Sequence, residues 1–324
     1  MRRTVLTGLF ACATALAGVA DAQQFTPQVK QPSFPAGSGP RVLIDAGHFN
    51  ESRPALAPLV ALLERDGFRV SFHESAWTPA ALAQAELLII TTPLAASRES
   101  LQGAGADFAW SEQARRDAFT NEEVVALTGW IRAGGNLLLV LDQAPVPAAT
   151  RTLTEALGVE VRNTSTWDAA QRPVGYTYSA DDLRGSYIMF NRERKTIGKH
   201  PILDGRNRDE KVDRVATYVG SSLVGPFDGT TLLTLTSDAF DYWKDAPATG
   251  GAEHRVPAVG RGQAVAFEMD RGRVVVASEL DAFLVPPGGA EDPGGALGKG
   301  LAVKGAHNQQ FVLNTVRWLT RILQ

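Results

Sequence analysis

The chain has almost no cysteine. Its one thiol, Cys12, lies in the apolar run near the N-terminus, and the sequence contains no Gly-x-Ser-x-Gly, Walker phosphate loop or His-Glu-x-x-His. Once that run is removed, disulfides, cysteine-bound zinc and a cysteine nucleophile are all excluded. The missing motifs argue equally against a serine elbow, a P-loop and a helix-borne zinc site.

A strong excess of charge of either sign is missing as well. The 324 residues carry 32 basic and 35 acidic side chains, and no basic stripe is interleaved with aromatic residues. Nucleic acid is therefore not an expected partner. We find no internal repeat, and a chain of this length is long enough to bury a sizeable core.

The first 22 residues have the organisation of a secretory signal peptide. Arg2-Arg3 precedes an apolar stretch, and Ala20-Asp21-Ala22 provides an A-x-A cleavage site. No stop-transfer pattern follows, so we expect no transmembrane segment after cleavage and a periplasmic or secreted product. The general secretory and twin-arginine routes both stay open. Residues 23–40, rich in Pro and Gly, predict an extended leader.

From residue 41 onwards, strand and helix patterns alternate. "RVLID", "FRVSF", "ELLIIT" and "NLLLVLD" predict strands, and helical spacing of apolar residues lies between them. The clearest helix follows Thr120, where Thr120 and Glu123 form a capping box and Gly134-Gly135 ends the helix. This alternation predicts an α/β fold with a doubly wound, mostly parallel, flavodoxin-like sheet.

The second half of the chain is richer in short strand patterns. Residues 163–260 predict a β-rich insertion within a single domain that spans residues 41–324. "GQAVAFEMDRGRVVVASE" predicts a hairpin, and "NQQFVLNTVRWLTRILQ" an amphipathic closing helix.

Polar residues follow the predicted strands, where ligands gather in open α/β sheets. We expect four groups of them to meet at one cleft that binds a ligand. The groups are Asp45 with His48, Asp142 with Gln143, Glu279 with Asp281, and His307 with Asn308.

Each of these residues also has a structural interpretation. Asp45 and Asp142 are placed to cap a following helix, and His48 and His307 to form hydrogen bonds within loops. Glu279 is harder to explain in this way, because a carboxylate after an apolar strand must be desolvated or face a pocket.

"VLIDAGHFN" is similar to the "IDxGH" of zinc-dependent peptidoglycan amidases. The similarity implies that His48 is a zinc ligand, and zinc needs three protein ligands with one open position. Phe49-Asn50 replaces the usual Gly-Gly, however, and no histidine follows "AELLIITTPLAA". A zinc-dependent amidase is therefore kept as an alternative, and no cofactor is predicted.

Four segments together resemble a family of exported bacterial proteins within the class I glutamine amidotransferase-like superfamily. They are "VLIDAGHFN", "FTNEEVVALTGWIRAGGNLLLVLDQAP", "GRVVVASELDAF" and "HNQQFVLNTVRWLTRIL". The family has no established reaction, and in its members a His usually stands where this chain has Gln143. Asp142-Gln143 stands where the superfamily's nucleophilic turn falls and offers no thiol, so thiol-dependent amidotransfer is excluded. The superfamily also includes sugar-associated proteins of the trehalose-utilisation type, which implies a carbohydrate-like ligand.

We therefore expect the protein to bind a small polar or carbohydrate-like ligand, or a component of the cell envelope. One alternative is a hydrolase that uses Glu279 or Asp142 as a general base with His48. Another is an envelope scaffold whose aromatic residues face a partner. Those aromatics are Tyr176, Tyr178, Phe240, Tyr242 and Trp243. The sequence leaves the oligomeric state open.

Overall fold

The computed structural model describes residues 26–50, 53–97, 100–101, 111–170, 188–245, 251–285 and 300–324. The strands are β1 Arg41–Asp45, β2 Arg69–His73, β3 Leu87–Thr91, β4 Asn136–Val140, β5 Glu160–Val161, β6 Ser165–Asp168, β7 Ile188–Asn191, β8 Arg214–Thr217, β9 Leu223–Val224, β10 Thr230–Thr234, β11 Ala239–Lys244, β12 Glu253–Pro257, β13 Gly262–Met269 and β14 Gly272–Ala277. The helices are α1 Arg53–Arg65, α2 Pro79–Leu82, α3 Asn121–Arg132, α4 Val146–Ala149, α5 Arg151–Ala156, α6 Pro201–Asp204 and α7 Asn308–Leu319. Short 3-10 turns cover Arg208–Glu210, Asp281–Phe283 and Gly300–Ala302.

A large mixed sheet forms the centre of the molecule. Five strands run parallel in the order β2-β1-β3-β4-β14, and β13, β9, β10 and β5 extend the sheet through antiparallel pairs. The chain moves outward from β1 to β2 and then crosses back to β3, so the order of strands reverses between β1 and β3. This arrangement confirms the predicted doubly wound, mostly parallel fold.

Apolar side chains cover both faces of the sheet, and each central strand is therefore buried on both sides. Val42 and Ile44 of β1 face the layer that contains α1 and α7, and Leu43 faces the layer that contains α2, α3 and α5. The same alternation continues through β3, β4 and β14. The continuous apolar runs in the sequence reflect this two-sided burial.

The β-rich insertion supplies two further sheets among the described residues. One has the order β12-β11-β6 and the other pairs β7 with β8, all antiparallel. The predicted hairpin is present as β13 and β14, joined at Asp270, which has a positive φ of 53°. The predicted capping box is also present at the start of α3.

The described part of the leader is attached to the domain along its length. The backbone of Gln28 exchanges two hydrogen bonds with the side chain of Gln309, and Ser33 bonds to the carboxylate of Asp66. Asp66 in turn forms a bidentate pair with Arg317 of α7, and both side chains are almost fully buried. The leader therefore packs against the two helices that cover one face of the sheet.

Candidate functional site

His48 lies between two buried carboxylates. Its Nδ1 atom is 2.9 Å from Oδ2 of Asp45, and its Nε2 atom is 2.9 Å from Oε1 of Glu123. Asp45 ends β1, and Glu123 lies in the first turn of α3, 75 residues further along the chain from His48. The ring also contacts Phe119, at 4.5 Å between centroids.

The opposite charges in this cluster stabilise one another. Burial disfavours a charged imidazole, but the hydrogen bonds and charges of Asp45 and Glu123 outweigh it and raise the pKa of His48. Burial likewise works against ionisation of Glu123, and the N–H donors of Thr120 and Trp77 together with His48 lower the pKa of this carboxyl. The result is a buried imidazolium with a carboxylate on each ring nitrogen.

This arrangement closes the crevice where the strand order reverses. Leu94, after β3, donates its backbone N–H to the carbonyl of His48 at 2.7 Å. Asn50 donates to both Asp45 and the carbonyl of Thr91, at the end of β3. The loops that follow β1 and β3 therefore bond to each other across the position where many doubly wound proteins place a ligand.

The zinc-ligand interpretation of His48 does not fit these contacts. A histidine binds zinc through a ring nitrogen, and carboxylates occupy both nitrogens here. Within the described ranges, no group of three His, Cys, Asp or Glu side chains is arranged to hold a metal ion. The similarity to "IDxGH" thus lies in the local sequence and does not extend to a set of donors.

A second cluster consists of three acidic residues that follow the ends of β4 and β14. These strands are paired in parallel, with Val140 opposite Ala277, so Asp142 and Glu279 follow at neighbouring positions of the same sheet edge. Glu279 is only 3% exposed, whereas Asp142 and Asp281 are half-buried. Burial raises the pKa of Glu279 well above its usual range, and the charges of Asp281 and Asp142 raise it further.

Backbone groups fix the position of Glu279. Its two carboxyl oxygens accept the N–H groups of Asp281 and Ala282, each at 2.9 Å, and this caps the 3-10 turn. Gly220 packs directly against it, since a Cβ atom there would lie 2.8 Å from the Cβ atom of Glu279. Gly220 also has a positive φ of 52°, so a glycine is required at this close approach.

Gln143 is exposed and connects the acidic cluster to the β-rich insertion. Its Oε1 atom accepts a hydrogen bond of 2.9 Å from the hydroxyl of Ser165, in β6. Ser221 supports the same junction by donating to the carbonyls of Asp142 and Thr164. The edge of the main sheet and β6 thus form one continuous surface around Asp142 and Gln143.

The fourth predicted group makes different contacts. Asn308 is 1% exposed, and its amide exchanges two hydrogen bonds with the backbone of Ala216 in β8. The Nδ1 atom of His307 accepts the backbone N–H of Asp213. These two side chains bind the beginning of α7 to the backbone around β8 instead of presenting polar groups to the sheet edge.

The structure therefore places the four groups, which we expected at one cleft, in separate clusters. Two strands, β3 and β4, separate β1 from β14. At about 4.8 Å per strand spacing, the β1 and β14 backbones are about 14 Å apart. Asp45 and His48 form one cluster, Asp142, Gln143 and Glu279 form another, and His307 and Asn308 contact β8.

Glu123 is the site residue that sequence reasoning placed only in a capping box. The Thr120 and Glu123 pattern indicates the N-terminus of a helix, and nothing local indicates that the same carboxylate also reaches His48. The sequence does indicate Asp281, because this residue lies two positions after Glu279 and follows the same apolar strand.

The aromatic residues of the scaffold alternative lie partly outside the described residues. Tyr176 and Tyr178 lie outside the described residues, and Phe240, Tyr242 and Trp243 are half-buried in β11. The large exposed apolar side chains of the described chain lie elsewhere. They are Phe49, Val125, Val224, Phe227 and Val259.

No helix of the described residues is long and apolar enough to cross a membrane. No protein-family model matches the chain, and no curated protein matches it. Among solved structures, the N-terminal domain of mmIFT52 matches with a TM-score of 0.55 at 14% identity, over 86% of this chain and 97% of that domain. This similarity supports the α/β fold and nothing more.

Two further solved structures match at lower TM-scores. A ThuA-like protein from Bacteroides uniformis has a TM-score of 0.43 at 11% identity, over 90% of this chain and 93% of its own. A GMP synthase component from Thermoplasma acidophilum has a TM-score of 0.40 at 6% identity, over 87% of this chain and 94% of its own.

Proposed function

We propose that this chain is an exported member of the class I glutamine amidotransferase-like superfamily that binds a small polar, carbohydrate-like ligand. The binding site is the acidic rim, formed by Asp142, Gln143, Glu279 and Asp281. One observation carries the proposal: Asp142 and Glu279 follow two adjacent parallel strands at the same sheet edge, Asp281 lies two residues further on, and Glu279 is buried. Grouped carboxyls of this kind are costly for stability alone and are more frequent at binding or catalytic sites.

The chemistry of the acidic rim favours a neutral ligand that is rich in hydroxyl groups. The carboxylates of Asp142 and Asp281 accept hydrogen bonds from hydroxyls, and the amide of Gln143 both donates and accepts. Anionic ligands are disfavoured, because they meet carboxylates at close range. In this proposal the cluster of Asp45, His48 and Glu123 shapes the neighbouring loops and does not contact the ligand.

Thermal unfolding with added ligand tests the proposal, because a molecule that binds only the folded state raises the melting temperature. The probes are glucose, N-acetylglucosamine and trehalose, added to the mature protein. We expect at least one of them to raise the melting temperature, and Glu279→Gln and Asp142→Asn to abolish the rise. Glu155→Gln, at an exposed position on α5, is the matched control.

A rise that survives both substitutions would place the ligand elsewhere, and no rise with any of the probes would refute a sugar-binding rim. Export is tested separately, by locating the processed chain in cell fractions and sequencing its new N-terminus. A mature protein that begins at Gln23 agrees with cleavage after Ala22.

Hydrolysis is the second candidate, and the raised pKa of Glu279 beside Asp142 favours it. A carboxyl that keeps its proton can act as a general acid while an adjacent carboxylate activates water. His48 takes no part, since both of its ring nitrogens are engaged. Release of glucose from trehalose, or of nitrophenol from nitrophenyl glycosides, tests this role. We expect Asp142→Asn to remove turnover, and a bound sugar that is never cleaved would leave only the binding function.

A further inference from the structure

The three-stranded sheet of the β-rich insertion has one face that is rich in aromatic residues. In its register Phe240 lies between Trp167 and Pro257, and Tyr242 lies between Ser165 and Arg255. Directly paired residues point to the same side of a sheet, as do residues two apart along one strand. These six side chains therefore share one face, which we call the aromatic face, and the ion pair of Lys244 and Glu253 lies beside Tyr242 and Arg255 on the same face.

The two faces of this sheet differ in their contacts. On the opposite face, Asp241 is fully buried and accepts hydrogen bonds from Thr166, Ser222 and Arg162. The part of that face around Asp241 is therefore occupied by polar contacts with the body of the protein. The aromatic face has half-buried rings and exposed side chains, including Arg255, whose guanidinium lies 5.5 Å from the centre of the Phe240 ring. Solvent therefore reaches the aromatic face.

Trp167 and Tyr242 form a corner on this face. Their ring centroids are 6.3 Å apart, and their planes meet at 82°. A flat, partly apolar molecule can stack on one ring while its edge contacts the other. Neither ring lies in the central apolar core.

The aromatic face is continuous with the acidic rim. Ser165 belongs to the same face as Trp167 and donates its hydroxyl to Gln143, which is adjacent to Asp142. A ligand held at the rim therefore has the aromatic corner next to it, one cross-strand neighbour beyond Ser165.

We propose that the aromatic face is a second subsite, which binds the continuation of a neutral oligosaccharide whose terminal sugar occupies the acidic rim. This inference rests on the proposed function and adds that the natural ligand is a chain of sugars. A sugar ring presents an apolar C–H face for stacking and hydroxyls at its edge, which matches aromatic rings bordered by Ser165, Arg255 and Gln143. A nucleic acid would bring phosphates to the carboxylates of the rim, and an apolar peptide would cover those carboxylates without offering them side-chain donors.

Calorimetric titration of the mature protein with sugars of increasing length tests the inference. The probes are glucose with cellotetraose and maltotetraose, and N-acetylglucosamine with its β-1,4-linked tetramer. We expect at least one tetramer to bind about tenfold tighter than its own monomer, which corresponds to one or two stacking contacts. Tyr242→Ala is expected to remove this gain and leave binding of the monomer unchanged.

Two further variants separate stacking from a loss of folding. Tyr242→Phe keeps the ring and is expected to retain the full gain, whereas Phe227→Ala removes a fully exposed ring from another part of the surface and is the matched control. If wild-type protein binds monomers and tetramers equally, the second subsite is refuted and the rim remains. If Tyr242→Phe loses the gain, the phenol hydroxyl is responsible and stacking is refuted. If no sugar of the series binds, both the rim proposal and this inference fall.

Discussion

At the scale of single residues, His48 has a structural role outside the acidic rim. Its imidazolium separates two carboxylates that are almost fully buried, those of Asp45 and Glu123. Removing the cation leaves two like charges with little access to water. We expect His48→Gln to lower the free energy of unfolding by about 3–5 kcal/mol, measured by urea denaturation at pH 6. His254→Gln is the control, because that histidine pairs with Asp245 at 39% exposure and is expected to cost less than about 1 kcal/mol.

The same histidine makes stability depend on pH. Its pKa is raised in the folded protein, so the folded state holds the proton more tightly than the unfolded chain does. The stabilisation is complete below the unfolded value of 6.5 and is lost as the pH rises through the folded pKa. We expect the urea midpoint of the wild type to fall as the pH rises above 6.5 and that of His48→Gln to fall less. Parallel curves for the two proteins would contradict a raised pKa of His48.

Glu279 gives a separate pH signature at lower pH. Its pKa is also raised, so its contribution is complete below 4.5 and is lost as the pH rises through the folded value. Glu279→Gln removes this titration at the loss of one backbone hydrogen bond, about 1 kcal/mol. We therefore expect the variant to be less stable than the wild type near pH 4 and to regain the difference as the pH increases. A constant difference between the two midpoints would mean that Glu279 has the same pKa in the folded and unfolded states.

At the scale of elements, the leader and the closing helix form one unit through Asp66. This carboxylate accepts hydrogen bonds from Arg317 of α7 and from Ser33 of the leader. Arg317 also donates to the carbonyl of Gln31. We expect Asp66→Ala to cost about 3 kcal/mol, because it removes the bidentate partner of a buried guanidinium, which retains its ion pair with Glu210. It is also expected to speed tryptic cleavage after Lys30, whose neighbours are held in place by these bonds. Asp270→Asn, in an exposed and distant ion pair, is the control for both measurements.

The elements themselves follow closely from the sequence, whereas their side-chain contacts do not. The capping box of Thr120 and Glu123, the apolar runs of β3 and β4 and the final hairpin are local patterns, and each forms as predicted. The predicted leader was only an extended segment, because its attachment depends on Asp66 and Gln309, which are distant in the sequence. Local patterns determine where a helix or strand forms, and residues far along the chain determine which side chains it contacts.

At the scale of the whole molecule, strand order decides which polar groups can meet. Asp142 and Glu279 come together because β4 and β14 are neighbours, although 137 residues separate paired positions such as Asn136 and Arg273. Asp45 and Glu279 stay apart because β3 and β4 lie between their strands. The sequence places each group at a strand end but does not give the order of the strands, so it predicted the members of the acidic rim together with residues that belong to other clusters.

This separation has a measurable consequence for pairs of substitutions. Residues more than about 7–10 Å apart that share no partner lose stability additively, within about 0.5 kcal/mol. We expect His48→Gln and Glu279→Gln to be additive in a double-mutant cycle by urea denaturation. Glu279→Gln and Asp281→Asn, by contrast, are expected to couple by more than about 0.5 kcal/mol, since the charge of Asp281 acts directly on Glu279. Strong coupling of His48 with Glu279 would mean that the two clusters act as one site after all, and the acidic rim would then have to be redrawn to include β1.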